Sequence, residues 1–288
     1  MSLAKILSAT DFSPVSDRAV GYAAALARRY DAQLYLLHVL VPGENQSPPA
    51  EGKAEVNLAM RHQAQERIAG ILASGLLRGV QHEVMLKEGY LWPTLDTLIR
   101  ERELDLVVVG THGLHGIKPS IGSSAELVFR HADCPVLTVG PAVASEASMV
   151  AEFKHILFAT GFGRAAGRAE PYAFSLAQVY RAKLSLLHVL EPVGSDYSES
   201  ELDTLRTITR LRLQECVPEE KNNLPKPEFI VRVGDPAEGI LDVARQTAVD
   251  LIVMGARAGR NFASHLPETV AFTVAARAPC PVLTVRAY

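Results

Sequence analysis

Two kinds of hydrophobic pattern alternate along this chain: short unbroken apolar runs, and longer stretches in which apolar residues recur every three or four positions. The first is what a parallel strand covered on both faces requires, and the second is the amphipathic helix that covers it. In the first half the pattern predicts strands over residues 5–9, 33–40, 80–87, 105–110 and 135–139, and helices over 16–30, 51–76, 94–102 and 124–131. In the second half it predicts strands over 155–159, 183–190, 228–233, 250–255 and 281–285, with helices in the gaps. Strict alternation of strand and helix forces right-handed crossovers and a doubly wound α/β sheet. Its ligand crevice then lies at the carboxyl ends of the strands where the winding reverses, which here means the loops after strands one and four.

The two halves are one pattern written twice. Residues 5–40 align without gaps on residues 155–190, with 19 of 36 positions identical at an offset of 150. The run CPVLTV at 134–139 recurs unchanged at 280–285, and DLVVVG at 105–110 recurs as DLIVMG at 250–255. A period near 145 is far too long for a solenoid, so the chain is predicted to carry a duplicated globular domain. The division falls in the small, polar stretch 140–149, giving domains 1–145 and 146–288, each a five-stranded parallel sheet of ordinary domain size. Each ends in an apolar strand whose open edge invites pairing, so the two repeats are expected to cover each other as a pseudo-twofold pair.

Composition narrows the partners. A formal net charge of −3, a pI near 6.3 and no block of five like charges leave no electrostatic footprint for nucleic acid, so none is expected as a partner. No apolar run approaches 18 residues, so no membrane partner is expected either. The first residues read at once as a strand, which points to a cytoplasmic location. Of the three cysteines, Cys134 and Cys280 hold equivalent positions before a strand and read as small buried thiols.

Candidate chemistry concentrates after strand four, where the first repeat reads Gly110-Thr-His-Gly113-Leu-His-Gly116-Ile-Lys118-Pro-Ser-Ile-Gly122-Ser123-Ser124-Ala-Glu126. Glycines let a backbone approach a ligand closely, and Gly122-Ser-Ser leads into a helix whose first amides can cradle an anion. Ser123 with Glu126 equally fits a capping box, so this stretch alone leaves phosphate binding and a capped helix both open. The second repeat acts as an internal control: it has Glu268 where the first has Gly122, and Gly161 where the first has Asp11, with Ala, Thr and Phe kept around it. Asp11, at the end of strand one, is placed to accept hydrogen bonds from a ribose or a base, or else to cap the turn at Ser13–Ser16. His38 and His188 recur at one strand position and read as packing residues. No Cys or carboxylate at recognisable spacing completes a zinc set with His112, His115 and His131. No Ser-His-Asp order, phosphate-loop lysine or paired carboxylate stands out, so no catalytic residue is assigned.

Five segments together carry a family resemblance: ATDFS at 9–13, LLHV at 36–39, VVGTHG at 108–113, GSSAE at 122–126 and HADCPVLTV at 131–139. On these the chain resembles the universal stress protein family over nearly its whole length, as a tandem two-domain member. The resemblance implies the adenine nucleotide alpha hydrolase-like fold and an adenine-nucleotide partner, ATP with or without Mg2+. The ATP-binding pattern G-x2-G-x9-G-[S/T] maps to Gly110, Gly113, Gly122 and Ser123, with Ser123 and Ser124 implied to hold phosphates. Asp11 is implied to hold the ribose or adenine side, Val39 and Val109 to border the adenine, and Ala9 to belong to the same binding set. One departure is that only eight residues, Pro119 among them, separate Gly113 from Gly122. The function so implied is that of an ATP-binding stress-response regulatory protein with one competent site, in the first repeat, and at most slow hydrolysis. The alternative is a scaffolding or dimerisation module that binds no nucleotide. A homodimer beyond the intrachain pair is compatible with either.

Overall fold

The structure is a computed structural model and describes residues 3–41, 50–111, 123–144, 152–191, 198–218, 225–257 and 269–287, with backbone alone at 50–57, 123–124 and 257. The first repeat runs β1 (Lys5–Ala9), α1 (Pro14–Tyr30), β2 (Gln33–Leu40), α2 (Ala50–Ala73), β3 (His82–Glu88), α3 (Leu91–Arg102), β4 (Leu106–Gly110), α4 (Ser123–His131) and β5 (Val136–Val139). The second runs β6 (His155–Ala159), α5 (Arg164–Tyr180), β7 (Lys183–Leu190), α6 (Glu199–Glu215), β8 (Glu228–Val233), α7 (Pro236–Gln246), β9 (Leu251–Arg257), α8 (Val270–Arg277) and β10 (Val282–Ala287).

Two helices start earlier than their apolar period suggests. The first turn of α1 is set by Ser13, whose side chain accepts the amide of Ser16, with Pro14 at the position where a missing N–H costs nothing. The first turn of α3 includes Pro93, and its N-cap Tyr90 makes no side-chain cap, so no polar start signal precedes it in the sequence.

All strands join one ten-stranded sheet in the order β3-β2-β1-β4-β5-β10-β9-β6-β7-β8. Each repeat is parallel throughout; the junction of β5 with β10 is antiparallel, with Leu137 opposite Leu283. The pseudo-twofold relation is carried to side chains: Thr138 Oγ1 donates to the carbonyl of Val282 at 3.2 Å, and Thr284 Oγ1 to that of Val136 at 3.3 Å. Pairing of the two last strands thus removes both open edges, as expected, and it merges the two five-stranded sheets into one. On each face the buried apolar side chains run without a break from one repeat into the other. Phe129 meets Phe272 edge-on at 5.9 Å on one face, and Tyr22 stacks on Phe153 at 6.3 Å on the other.

This antiparallel junction has a geometric consequence. The carboxyl ends of β1 to β5 point to one edge of the ten-stranded sheet, and those of β6 to β10 to the opposite edge. Each repeat has its own reversal of winding, between β1 and β4 in one and between β6 and β9 in the other, so the two crevices open far apart. A chain ended at residue 145 would expose the β5 edge and the apolar faces around it. It should therefore associate through β5, as a dimer by light scattering; a monomer as stable as the whole protein would show that the junction does not hold the repeats together.

Cys134 and Cys280 are free and buried, and burial pushes the Cys134 thiol up to about 12 and that of Cys280 in the same direction. Both stay protonated near neutral pH and pack as small apolar groups, as their place before a strand suggested.

Candidate functional site

At the reversal in the first repeat, β1 lies between β2 and β4, and the chain leaving β1 turns sharply into α1. The turn places Phe12 at φ 62°, a left-handed conformation that costs a bulky residue about 1 kcal/mol. Five contacts hold it there. The Phe12 amide donates to Thr10 Oγ1 at 3.0 Å, the His38 ring packs 4.3 Å from the Phe12 ring, and His38 Nδ1–H donates to the Thr10 carbonyl at 2.7 Å. From α2, Arg67 Nη2 donates to the Phe12 carbonyl at 2.7 Å, and its guanidinium lies 5.5 Å from the centre of the Phe12 ring.

Asp11 sits inside this turn, partly buried, and its Oδ1 accepts the amide of Ser13 at 3.0 Å. The turn-capping role is therefore real for this carboxylate, and Ser13 in turn caps α1. The carboxyl of Asp17, one turn into α1, is raised above its ordinary range by partial burial; Arg67 draws it down and Asp11 pushes it up.

The second repeat rebuilds the turn without the acid. Phe162 adopts φ 58°, its amide donates to Thr160 Oγ1 at 3.1 Å, His188 Nδ1–H donates to the Thr160 carbonyl at 2.7 Å, and the Phe162 and His188 rings are 4.6 Å apart. Arg212 of α6 covers the Phe162 ring at 4.3 Å. Retention of the phenylalanine, threonine and histidine contacts where Asp11 has become Gly161 assigns the two histidines to holding the turn. Burial also lowers the pKa of His38, leaving it neutral at pH 7. Arg67 is the residue that sequence reading passed over; its signal is recurrence, as Arg212, in the second repeat.

Ala9, Val39 and Val109 lie at the carboxyl ends of β1, β2 and β4 on one face of the sheet, all at most 9% exposed, and form an apolar ledge. Gly110 closes β4, and its need for no side chain comes from packing: a Cβ there would stand 3.1 Å from the Ser16 amide and from Val15. Its counterpart Gly255 is tighter, 2.3 Å from the carbonyl carbon of Ala165. Ser123 and Ser124 open α4, where Glu126 Oε1 accepts from Arg130 Nε at 2.7 Å; the aligned Thr269 caps α8 through its own side chain. Gly113 and Gly122, with His112, His115, Lys118 and Pro119, lie outside the described residues. Among the described residues, no three His, Cys, Asp or Glu side chains come together as a metal set.

The geometry is thus an apolar ledge, an acid at the end of β1, and a helix start beyond β4, at the reversal of a doubly wound sheet, duplicated in framework but not in the acid. The universal stress protein family model matches residues 3–140 and again residues 152–286. This chain belongs to the universal stress protein family. A universal stress protein of Mycolicibacterium smegmatis is 29% identical over 299 residues, covering 98% of this chain and 96% of that one. A universal stress protein of Thermus aquaticus is 35% identical over 138 residues, covering 46% of this chain and 99% of its own. In three dimensions, the crystal structure of a universal stress protein from Archaeoglobus fulgidus superposes with a TM-score of 0.66 at 19% identity, over 98% of both chains, which shows the shared fold. As a tandem universal stress protein, the chain uses its second repeat to complete the sheet of the first. No helix among the described residues is long and apolar enough to cross a membrane.

Proposed function

We propose that this universal stress protein is a cytoplasmic, stress-responsive regulator that binds ATP, with or without Mg2+, at a single site in the first repeat. The observation that carries the reading is Asp11, held at the carboxyl end of β1 together with the ledge of Ala9, Val39 and Val109, against Gly161 at the same place in the second repeat. The ledge offers an adenine ring an apolar surface, and a carboxylate at the end of the first strand suits the hydroxyls of a ribose. The glycine-bearing loop from Gly110 to Gly122 and the start of α4 at Ser123 and Ser124 would supply amides and hydroxyls to the phosphates. The division near residue 145 then separates a binding repeat from a repeat that supports it.

Three differences support a single site. The second repeat lacks the acid, carries Glu268 in place of Gly122, and has Gly239 in α7 where α3 has Thr94, five residues beyond Gly234 and Gly89 respectively. A Cβ on Gly239 would stand 2.9 Å from Val189 Cγ2, so α7 lies directly on the valine that corresponds to Val39. Where the first repeat has room for a threonine side chain, the second has room for none.

Among the described residues of the site none is arranged to activate water, and contacts that hold ground-state phosphates need not favour a transition state. Binding should shift stability more than it drives turnover. Calorimetry should give a micromolar dissociation constant, about −7 to −8 kcal/mol. At about 100 times that concentration ATP should stabilise the first repeat by about 2.7 kcal/mol, seen as slower amide exchange there and not in the second repeat. Hydrolysis at about 1 per second or faster would make the protein an enzyme. No heat and no thermal shift at millimolar ATP would leave the scaffolding reading, which the shortened loop between Gly113 and Gly122 favours.

A further inference from the structure

We propose that Arg67 is a positioning residue of the nucleotide site, acting through the Phe12 carbonyl to hold Asp11 where it can meet the ligand; this rests on the reading of Asp11 as the ribose-side or adenine-side group. Asp11 stands in a turn whose backbone is strained. It precedes a left-handed phenylalanine, and its side chain is already engaged with the amide of Ser13 within the same turn. A turn of this kind relaxes unless the surrounding structure over-determines it. The strand side is held by His38 and Thr10, but the peptide after Phe12 is gripped from outside the turn, by a guanidinium that reaches it from 55 residues further along the chain. One N–H takes the carbonyl at 2.7 Å while the cationic plane covers the ring of the same residue at 5.5 Å, so both the peptide and the side chain of Phe12 are constrained by one group.

Comparison with the second repeat separates two tasks. Arg212 covers Phe162 more closely, at 4.3 Å, in a repeat with no acid to present. Stacking on the phenylalanine is therefore framework common to both repeats, and the carbonyl grip of Arg67 is the part that bears on Asp11.

A double-mutant cycle on the full chain tests this, with ATP affinity read by calorimetry and folding by circular dichroism. Arg67→Ala should weaken ATP binding about tenfold in the wild-type background but less than about twofold once Asp11 is Asn, because a residue that acts through Asp11 has nothing left to position. Arg67→Lys, which keeps the charge and one donor but not the planar fork, should fall between wild type and alanine. Arg212→Ala, which removes the same stacking in the second repeat, should leave ATP affinity unchanged. Unaltered affinity in Arg67→Ala and Arg67→Lys would overturn the inference, as would an equal loss in both Asp11 backgrounds, the mark of a structural or directly binding arginine. A wild-type chain that binds no ATP would overturn the functional reading as well, and so is distinguished from failure of the Arg67 inference alone.

Discussion

Gly255→Ala should destabilise the second repeat by about 3 kcal/mol or more, a large effect for the addition of one methyl group. The methyl carbon would stand 2.3 Å from the carbonyl carbon of Ala165 and 2.5 Å from the amide nitrogen of Ala166. Carbon atoms in favourable contact lie about 3.5–4.0 Å apart, so the first turn of α5 must retreat by about an ångström from a sheet it covers. No flexible side chain can absorb the shift, because the obstructing atoms are backbone. The equivalent change in the first repeat, Gly110→Ala, meets its nearest atoms at 3.1–3.2 Å and needs only a few tenths of an ångström, for which about 1 kcal/mol is expected. Urea denaturation followed by circular dichroism should rank the two variants in that order. The reverse order, or no loss in Gly255→Ala, would show that α5 is free to move away from β9.

The second large effect concerns binding rather than stability. Gly122→Glu copies into the first repeat what the second repeat has at Glu268, and it should lower ATP affinity at least about a hundredfold, or roughly 2.7 kcal/mol. The physical reason is the placement of a carboxylate beside the start of α4, where the phosphates would otherwise meet amide donors; like charges brought together out of bulk water repel strongly. Folding should be nearly unchanged, because the second repeat forms its own helix, α8, beyond the same substitution. Calorimetry with ATP and a thermal melt of the same sample make the test. A variant that binds ATP as well as wild type would remove Gly122 from the site, and one that fails to fold would make the glycine structural.

Much of the fold was legible in the sequence. The strands predicted over 5–9, 33–40, 155–159, 183–190 and 228–233 are found with the same bounds as β1, β2, β6, β7 and β8. For β1, β2, β6 and β7 strand length is encoded locally, since a strand buried on both faces needs an unbroken apolar run; β8, half-exposed, is marked by its short apolar stretch Phe229–Val231. The duplication, the reversal after strands one and four, and the placement of Ala9, Asp11, Val39 and Val109 at carboxyl ends follow from the same pattern. The start of α3 was not legible, because Tyr90 supplies no cap.

What tertiary structure alone decided is where distant groups meet. The apolar last strands announced an edge in need of a partner, but the merging of two sheets into one, with crevices on opposite edges, followed from the antiparallel register of β5 on β10. Gly110 read as a ligand-facing glycine, yet the close approach of α1, set by how that helix packs on the sheet, is what denies it a side chain. Arg67 belongs to a helix with no local feature to mark it, and its grip on Phe12 exists only because folding brings α2 over the end of β1. A periodic pattern specifies which face of an element is buried; which side chain reaches which carbonyl across 55 residues depends on the packing of every element between them.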